Sequence, residues 1–363
     1  MKLSGILLIA IMMAVAAATT SCRDELCDNH FPSLAVSLSW EHEWERDYGM
    51  NHSASWDTSL YGFEYGALRP EKPEWVNCIH YSTDGSSYES FLKEDAGNVA
   101  LDKEQEGQQV LLYNGDTEFL VLEDMASFTD ARATPTTRTR NTGEYLNTQH
   151  PGLSTTNPPD ILYSAFVDNI KGAGPHTQIT FPVTMQPLVF TYLIRYEFEY
   201  GIHHVSQARG ALGGMAESVY LRDGHTSDKA TIILYDCDVK DYGCEARVRS
   251  FGVPSFSDEY YGRGDDSRAI ADRPFTLNLE LLLTNGTTLE FNYNISNQIA
   301  NQPKGGVITI SGIRVDDEQN KVGESAGAFD VDLSGWGNIE HDLPFDVNNG
   351  EDVKSDKQTD NNK

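Results

Sequence analysis

The run FTYLIRYEFEY, from Phe190 to Tyr200, alternates without a break. Phe190, Tyr192, Ile194, Tyr196, Phe198 and Tyr200 fall on one side of an extended chain. Thr191, Leu193, Arg195, Glu197 and Glu199 fall on the other. Successive side chains of a strand point to opposite faces, whereas a helix would scatter these rings around its axis. The run therefore predicts a long half-buried strand, and it sets the pattern for the rest of the chain.

Leu34, Val36, Leu38 and Trp40 alternate in the same way with Ala35, Ser37 and Ser39. Phe275, Leu277, Leu279, Leu281 and Leu283 form another apolar face, and Leu289, Phe291, Tyr293 and Ile295 return along a partner strand. Asn285-Gly286 between them predicts a type I′ hairpin turn with both central residues left-handed. Further strands are expected over Val110–Leu122, where Asn114-Gly115-Asp116 marks a turn or bulge, and over Ala230–Val239 and Gly305–Val315. Many strands separated by turn signals argue for an all-β protein built of sandwiches. Helical spacing is scarce. Leu212, Met215, Ala216 and Val219 show it, but Gly210, Gly213 and Gly214 interrupt it, so Ala208–Leu221 is expected as a short helix or a tight loop.

The first residues have the layout of an export signal. Lys2 is the only charge before Arg23, Leu3 to Ala18 is apolar apart from Ser4, and Thr19, Thr20 and Ser21 are small. The apolar run falls short of the ~20 residues that span a bilayer comfortably. Thr20-Ser21-Cys22 resembles the bacterial lipobox, with Thr19 where leucine is usual. On that reading residues 1–21 are a signal peptide, and Cys22 is the lipid attachment site at the head of a tether over residues 22–32. Each buried CH₂ of an acyl (palmitate-type) chain contributes ~0.8 kcal/mol, and two or more chains hold a protein on a membrane durably. Arg23-Asp24-Glu25 resembles the short acidic tag that sends some such lipoproteins to the cell surface.

The formal charge of −28 becomes one unit more negative when Lys2 leaves with the signal. Such a chain is repelled by phosphate backbones, so nucleic acid is excluded as a partner, and membrane attachment falls to the lipid. Export also places Cys27, Cys78, Cys237 and Cys244 where disulfides are allowed. Cys237 and Cys244 are candidates to close a small loop, with unpaired buried thiols as the alternative.

The length suggests two domains. A first sandwich is expected over residues 33–170 and a second over 178–345, with the boundary in the Gly- and Pro-rich stretch between Val167 and Thr180. Residues 129–159 are poor in apolar side chains and are expected to form a long mobile loop, and residues 346–363 a disordered tail.

No catalytic constellation stands out. His42-Glu43 begins a zinc-protease motif, but Arg46 occupies the place of the second histidine. His203 and His204 adjoin, so on a strand they would face opposite ways and could not share a metal. Asp236, Asp238 and Asp241 are spaced to suit calcium, although acids on a strand edge more often serve solvation. Arg263-Gly264-Asp265 matches an integrin-read tripeptide, which chance produces easily. No metal or other cofactor is expected. Trp40, Trp44, Tyr48, Trp56, Tyr61, Phe63, Tyr65, Trp75 and Tyr81 crowd into one segment. Core packing is the simpler account of them. A glycan platform using Trp56 and Trp75 is the alternative.

In order, the chain carries Cys22 with Cys27 close behind, a strand ending in Trp40, Tyr113-Asn114-Gly115-Asp116-Thr117, and Pro159-Asp160-Ile161-Leu162-Tyr163. The strand from Phe190 then leads into Arg209-Gly210-Ala211-Leu212-Gly213-Gly214-Met215-Ala216. This order resembles a family of Bacteroidota-type fimbrillin-associated lipoproteins of unassigned function, related to fimbrial anchor and accessory subunits. The resemblance implies two tandem transthyretin-like β-sandwich domains and a non-catalytic role at the outer membrane. It further implies fimbrial or other surface subunits as partners, joined through strand edges whose unpaired N–H and C=O groups a donated strand would satisfy. Fimbrial maturation often involves cleavage after arginine, which singles out Arg138 and Arg140. The long stretch after Thr129 and the tryptophan-rich early segment depart from the anchor pattern.

Overall fold

A computed structural model of the chain describes residues 33–93, 96–101, 106–139, 149–171, 178–256, 274–318 and 320. The chain is built of strands that form two sandwiches. The first holds β1 (Ser33–Trp40), β2 (Val76–Tyr81), β3 (Ser87–Leu92), β4 (Ala96–Ala100) and β5 (Glu106–Asn114). An excursion follows with β6 (Leu120–Glu123), β7 (Arg132–Pro135) and β8 (Ser154–Thr156), before β9 (Tyr163–Lys171) and β10 (Gln178–Pro187) complete that sandwich. The second holds β11 (Phe190–Tyr200), β12 (Val205–Ala216), β14 (Ala230–Lys240), β15 (Gly243–Ser250), β16 (Thr276–Leu283), β17 (Thr288–Asn294) and β18 (Gly306–Arg314), with the small β13 (Val219–Tyr220) lying off its sheet between β12 and β14 in sequence. Among the described residues, three single-turn α-helices interrupt the strands: α1 (His52–Ser55), α2 (Thr58–Tyr61) and α3 (Ser296–Ala300).

In the first sandwich the strands run β3-β2-β5-β9-β10-β1-β4. Strand β10 pairs with β1 from Gln178 to Met185 and with β9 only at Gln186 and Pro187, so the ribbon folds over along β10. Leu34, Val36, Val99, Val183 and Met185 thereby meet Cys78, Val110, Leu112, Tyr163 and Ala165 in one core. The second sandwich repeats the device. Its strands run β17-β16-β12-β14-β15-β11-β18, and β14 passes from β12 over to β15. Tyr192, Ile194 and Tyr196 from β11 pack with Leu212, Ile233, Leu277, Leu279 and Ile308. Each such side chain contributes roughly 1.5–3 kcal/mol on burial. In both sandwiches the first strand lies parallel to the last, β1 beside β10 and β11 beside β18.

Four expectations change. The Ala208–Leu221 stretch is mostly the central strand β12, paired with β14 and β16, and neither a helix nor a loop. Its small residues are there for packing: a Cβ on Gly210 would come within 2.3 Å of the Tyr235 ring. Gly214, at φ +93°, sits where the β12–β14 register shifts by one. The hairpin turn is also different. Gly286 alone is left-handed at φ 84°, its N–H donates to the Leu283 carbonyl, and Leu283 N–H donates to Thr287. This is the longer loop with one glycine in the left-handed region rather than a two-residue type I′ turn.

The described parts of residues 129–159 are tied down. Strand β7 joins β6 and β13 in a three-stranded sheet, and β8 runs parallel to β14 of the second sandwich. Phe128, Ala131 and Ala133 share one core with Ile79, Tyr81, Leu111 and Tyr113 of the first sandwich, with Leu188, and with Val219, Leu221 and Phe251, which follow β12 and β15. Finally, β10 keeps the chain in the first sandwich as far as Pro187. The crossing comes at Leu188-Val189, beyond the stretch where composition had placed it.

Candidate functional site

Strand edges and the segment between β1 and β2 are the features a partner would meet. That segment carries seven of the nine aromatic residues singled out between Trp40 and Tyr81. Its backbone is pinned to the second sandwich, with Thr191 N–H donating to the Trp44 carbonyl at 2.7 Å and Arg46 N–H to the Lys304 carbonyl at 2.8 Å. Asp57 caps α2 by accepting from the Ser59 and Leu60 amides, and Gly62, at φ 76°, ends it. Trp44 is buried, and Trp56 lies stacked on Tyr61 with ring centroids 4.0 Å apart. The Trp56 indole N–H donates to the Phe63 carbonyl at 2.9 Å.

Beneath this cluster lies Arg195 on the outer face of β11, only 3% exposed. Its Nη1 donates to the Leu60 carbonyl at 3.1 Å, and its guanidinium lies 5.1 Å from the Tyr61 ring centre and 4.3 Å from that of Tyr242. Alternation alone put Arg195 on a solvent face. The covering segment, distant in sequence, turns that face into an interface. Of the two tryptophans considered for sugar stacking, Trp56 is held in the cluster and Trp75 is 39% exposed. The cleft beside Trp75, lined by Trp40, Lys72 and Pro73, has a volume of about 40 Å³, little more than a water molecule occupies.

The strand edges are not equivalent. At Val307 and Thr309 the outer edge of β18 is closed by two side chains. Gln298 donates to the Thr309 carbonyl at 3.0 Å and accepts the Thr309 amide at 3.1 Å. Gln302 does the same for Val307, at 2.6 and 3.0 Å. Gln298 stands in α3 and Gln302 just past its end, and together they meet two successive outward-facing peptide positions of β18. Sequence reasoning missed this pair, because neither glutamine carries a local sign of its partner.

Among the described residues, β3 pairs only with β2, and β17 only with β16. Phe91, 63% exposed, stands on β3 with Tyr88, whose ring lies 4.6 Å from that of His80.

The remaining singled-out residues have the following places. Cys237 and Cys244 are not joined by a disulfide. The β14–β15 register sets Cys244 opposite Val239, two residues from Cys237. Such diagonal neighbours stand ~7–8 Å apart, wider than the ~4.4–6.8 Å a disulfide spans. Asp236 is paired with Arg138 at 3.0 Å and Asp238 with Lys240 at 3.3 Å, not gathered around a shared ion. Arg138 also donates to the Leu234 carbonyl, and its own backbone bonds to Thr155, so it lies in an ordered edge. His203 and His204 are not on a strand. They sit in a single 3-10 turn (Ile202–His204), with ring centroids 3.9 Å apart, and share a side with Asp317. Cys22, Cys27, Arg140, the Arg263-Gly264-Asp265 tripeptide and residues 346–363 lie outside the described residues. Among the described residues no helix is long and apolar enough to cross a membrane.

The motifs quoted above prove to be structural. Asn114 donates to the Ile161 carbonyl at 3.0 Å and accepts the Tyr163 amide at 2.6 Å. Asp160 in turn accepts the Glu118 amide at 2.6 Å. The Tyr113–Thr117 and Pro159–Tyr163 stretches thus hold each other at the end of the β5–β9 pair. Arg209 on β12 is paired with Glu280 on β16.

Residues 62–236 match the family model of a domain of unknown function, DUF5119. No curated protein matches the chain. A candidate adhesin of solved structure from Bacteroides ovatus is 15% identical, with a TM-score of 0.55 over 84% of this chain and 97% of that one. The fimbrial anchor protein Mfa2 from Porphyromonas gingivalis is 11% identical, with a TM-score of 0.43 over 79% of this chain and 92% of that one. Over residues 62–236 the chain is thus similar in sequence to DUF5119, and through most of its length it shares the fold of the Bacteroides ovatus protein.

Proposed function

We propose that this chain is a non-catalytic lipoprotein of the outer membrane surface, acting as a fimbrial anchor, accessory or adhesive subunit. Acyl chains on Cys22 would hold it to the bilayer, and the two clasped sandwiches would project from it. A partner subunit would add to a strand edge. The observation that carries this reading is the contrast between edges: β18 is closed by glutamine side chains, whereas β3 is paired on one side only among the described residues and bears the exposed Phe91. An unpaired edge with an apolar anchor is what strand addition uses. The shared fold with a candidate adhesin supports the reading at the level of architecture.

The test places a photo-crosslinking phenylalanine analogue at Phe91, and at the exposed Arg314 of β18 as control, in cells that make the protein. The reading expects a discrete surface-subunit adduct from Phe91 and none from Arg314, together with fimbriae of altered length or retention when the gene is deleted. No adduct and unchanged fimbriae would refute it. An unacylated Cys22 in mass spectrometry would refute the anchoring part alone.

A further inference from the structure

We infer that His203, His204 and Asp317 form a binding site for a divalent transition metal of the zinc or copper type. One nitrogen from each imidazole and one carboxylate oxygen lie within 4.8 Å of one another. His204 Nε2 is buried without a hydrogen-bond partner and stands 3.8 Å from Asp317 Oδ1. That is beyond hydrogen-bonding distance. Two ligands on one zinc ion, each at about 2.0–2.1 Å, are separated by roughly 3.3 Å, so the His204–Asp317 pair closes by about half an ångström and the widest pair by at most about 1.5 Å.

The backbone holds both halves of the site. Thr284 N–H donates to the His204 carbonyl at 2.8 Å, and His204 N–H to the Gly201 carbonyl at 3.1 Å, which fixes the turn between β11 and β12. Gly201, at φ 91°, brings that turn against the end of β18, where a Cβ would come within 2.0 Å of the Val315 carbonyl oxygen. Val315 N–H donates to the Tyr200 carbonyl at 3.2 Å, and Asp316 accepts the Asn320 amide at 2.6 Å. Asp317 follows directly on this anchored residue, with its side chain fully exposed beside the histidines.

The donor set selects the metal. Imidazole suits zinc, copper and nickel, whereas calcium and magnesium take oxygen ligands almost alone. Three protein ligands leave a fourth position to water. Bound metal would staple the chain leaving β18 to the β11–β12 turn, a role separate from the strand-edge reading above.

The test titrates zinc into the full chain in metal-free buffer by calorimetry, and uses cobalt as a spectroscopic probe. One equivalent should bind, with a cobalt absorption band that zinc removes. Changes to residues that merely orient the ligands already weaken metal sites about 10–100-fold. His203→Ala, at an exposed position, and Asp317→Asn should each weaken binding at least about tenfold while circular dichroism stays unchanged. Backbone amides from Val315 to Asn320 should also exchange more slowly with zinc present. No binding, or binding unaltered in both variants, overturns the site.

Discussion

The side-chain carbonyl of Asn114 accepts the amide hydrogen of Tyr163, 49 residues further along the chain, at 2.6 Å. Both residues are buried, and the Asn114 amide also reaches the Ile161 carbonyl. One side chain thus closes the end of the β5–β9 pair, where ladder bonds stop. Asn114→Ala strips a buried donor and a buried acceptor, each costing about 1–3 kcal/mol when left bare. Urea unfolding should show a loss in that range or somewhat above it, with an unchanged denaturant slope. A loss below about 0.5 kcal/mol, the scatter of surface substitutions, would mean that water replaces the amide.

Gln302→Leu removes the cap from the Val307 amide and carbonyl and opens part of the β18 edge. The variant should be less stable by a few kcal/mol. It should also associate in a concentration-dependent way, because a bare edge templates pairing with another chain. Sedimentation velocity at two concentrations separates the two effects. A stable, monomeric variant would show that the glutamine does not guard this edge.

Burial pushes the Cys78 and Cys244 thiols up to about 12. The thiolate is the reactive form, so at pH 8 neither should be modified by a thiol reagent until the chain unfolds. Cys237, half-buried on β14, should be modified first. Non-reducing peptide mapping should find Cys237 and Cys244 unlinked.

His52 is almost fully buried, and that burial lowers its pKa from 6.5 to about 4, against the opposing pull of Asp47 and a hydrogen bond with Gln302. The unfolded chain therefore takes up the proton first. Stability from neutral His52 is complete above about pH 6.5 and is lost as pH falls toward 4, by up to about 3 kcal/mol. His52→Gln should flatten the stability profile in that window. Glu45, whose carboxyl burial raises, opposes the trend, so the comparison belongs between variant and parent at each pH.

Legibility in the sequence followed the reach of each interaction. Strands β1, β11 and β16 announce themselves because alternation is local, and the two-sandwich architecture follows from many such strands. Strand β12 did not, because a strand flanked on both sides and crossed by Tyr235 needs glycines that break any period. Arg195 read as a solvent residue because its cover, Leu60 and Tyr61, lies 135 residues away at the Leu60 carbonyl. His203 and His204 face opposite ways only on an extended backbone, and the 3-10 turn that replaces it is not signalled by local sequence. The edge caps at Gln298 and Gln302 leave no trace in composition at all.

The parallel pairing of first and last strands in each sandwich has a mechanical consequence. A pull on the start of β1 and the end of β10, or on the start of β11 and the end of β18, acts from opposite ends of side-by-side strands. The load then falls in shear across the whole ladder, so its hydrogen bonds must give way together rather than peel one by one. Tension transmitted along the chain would meet this clamp twice in series.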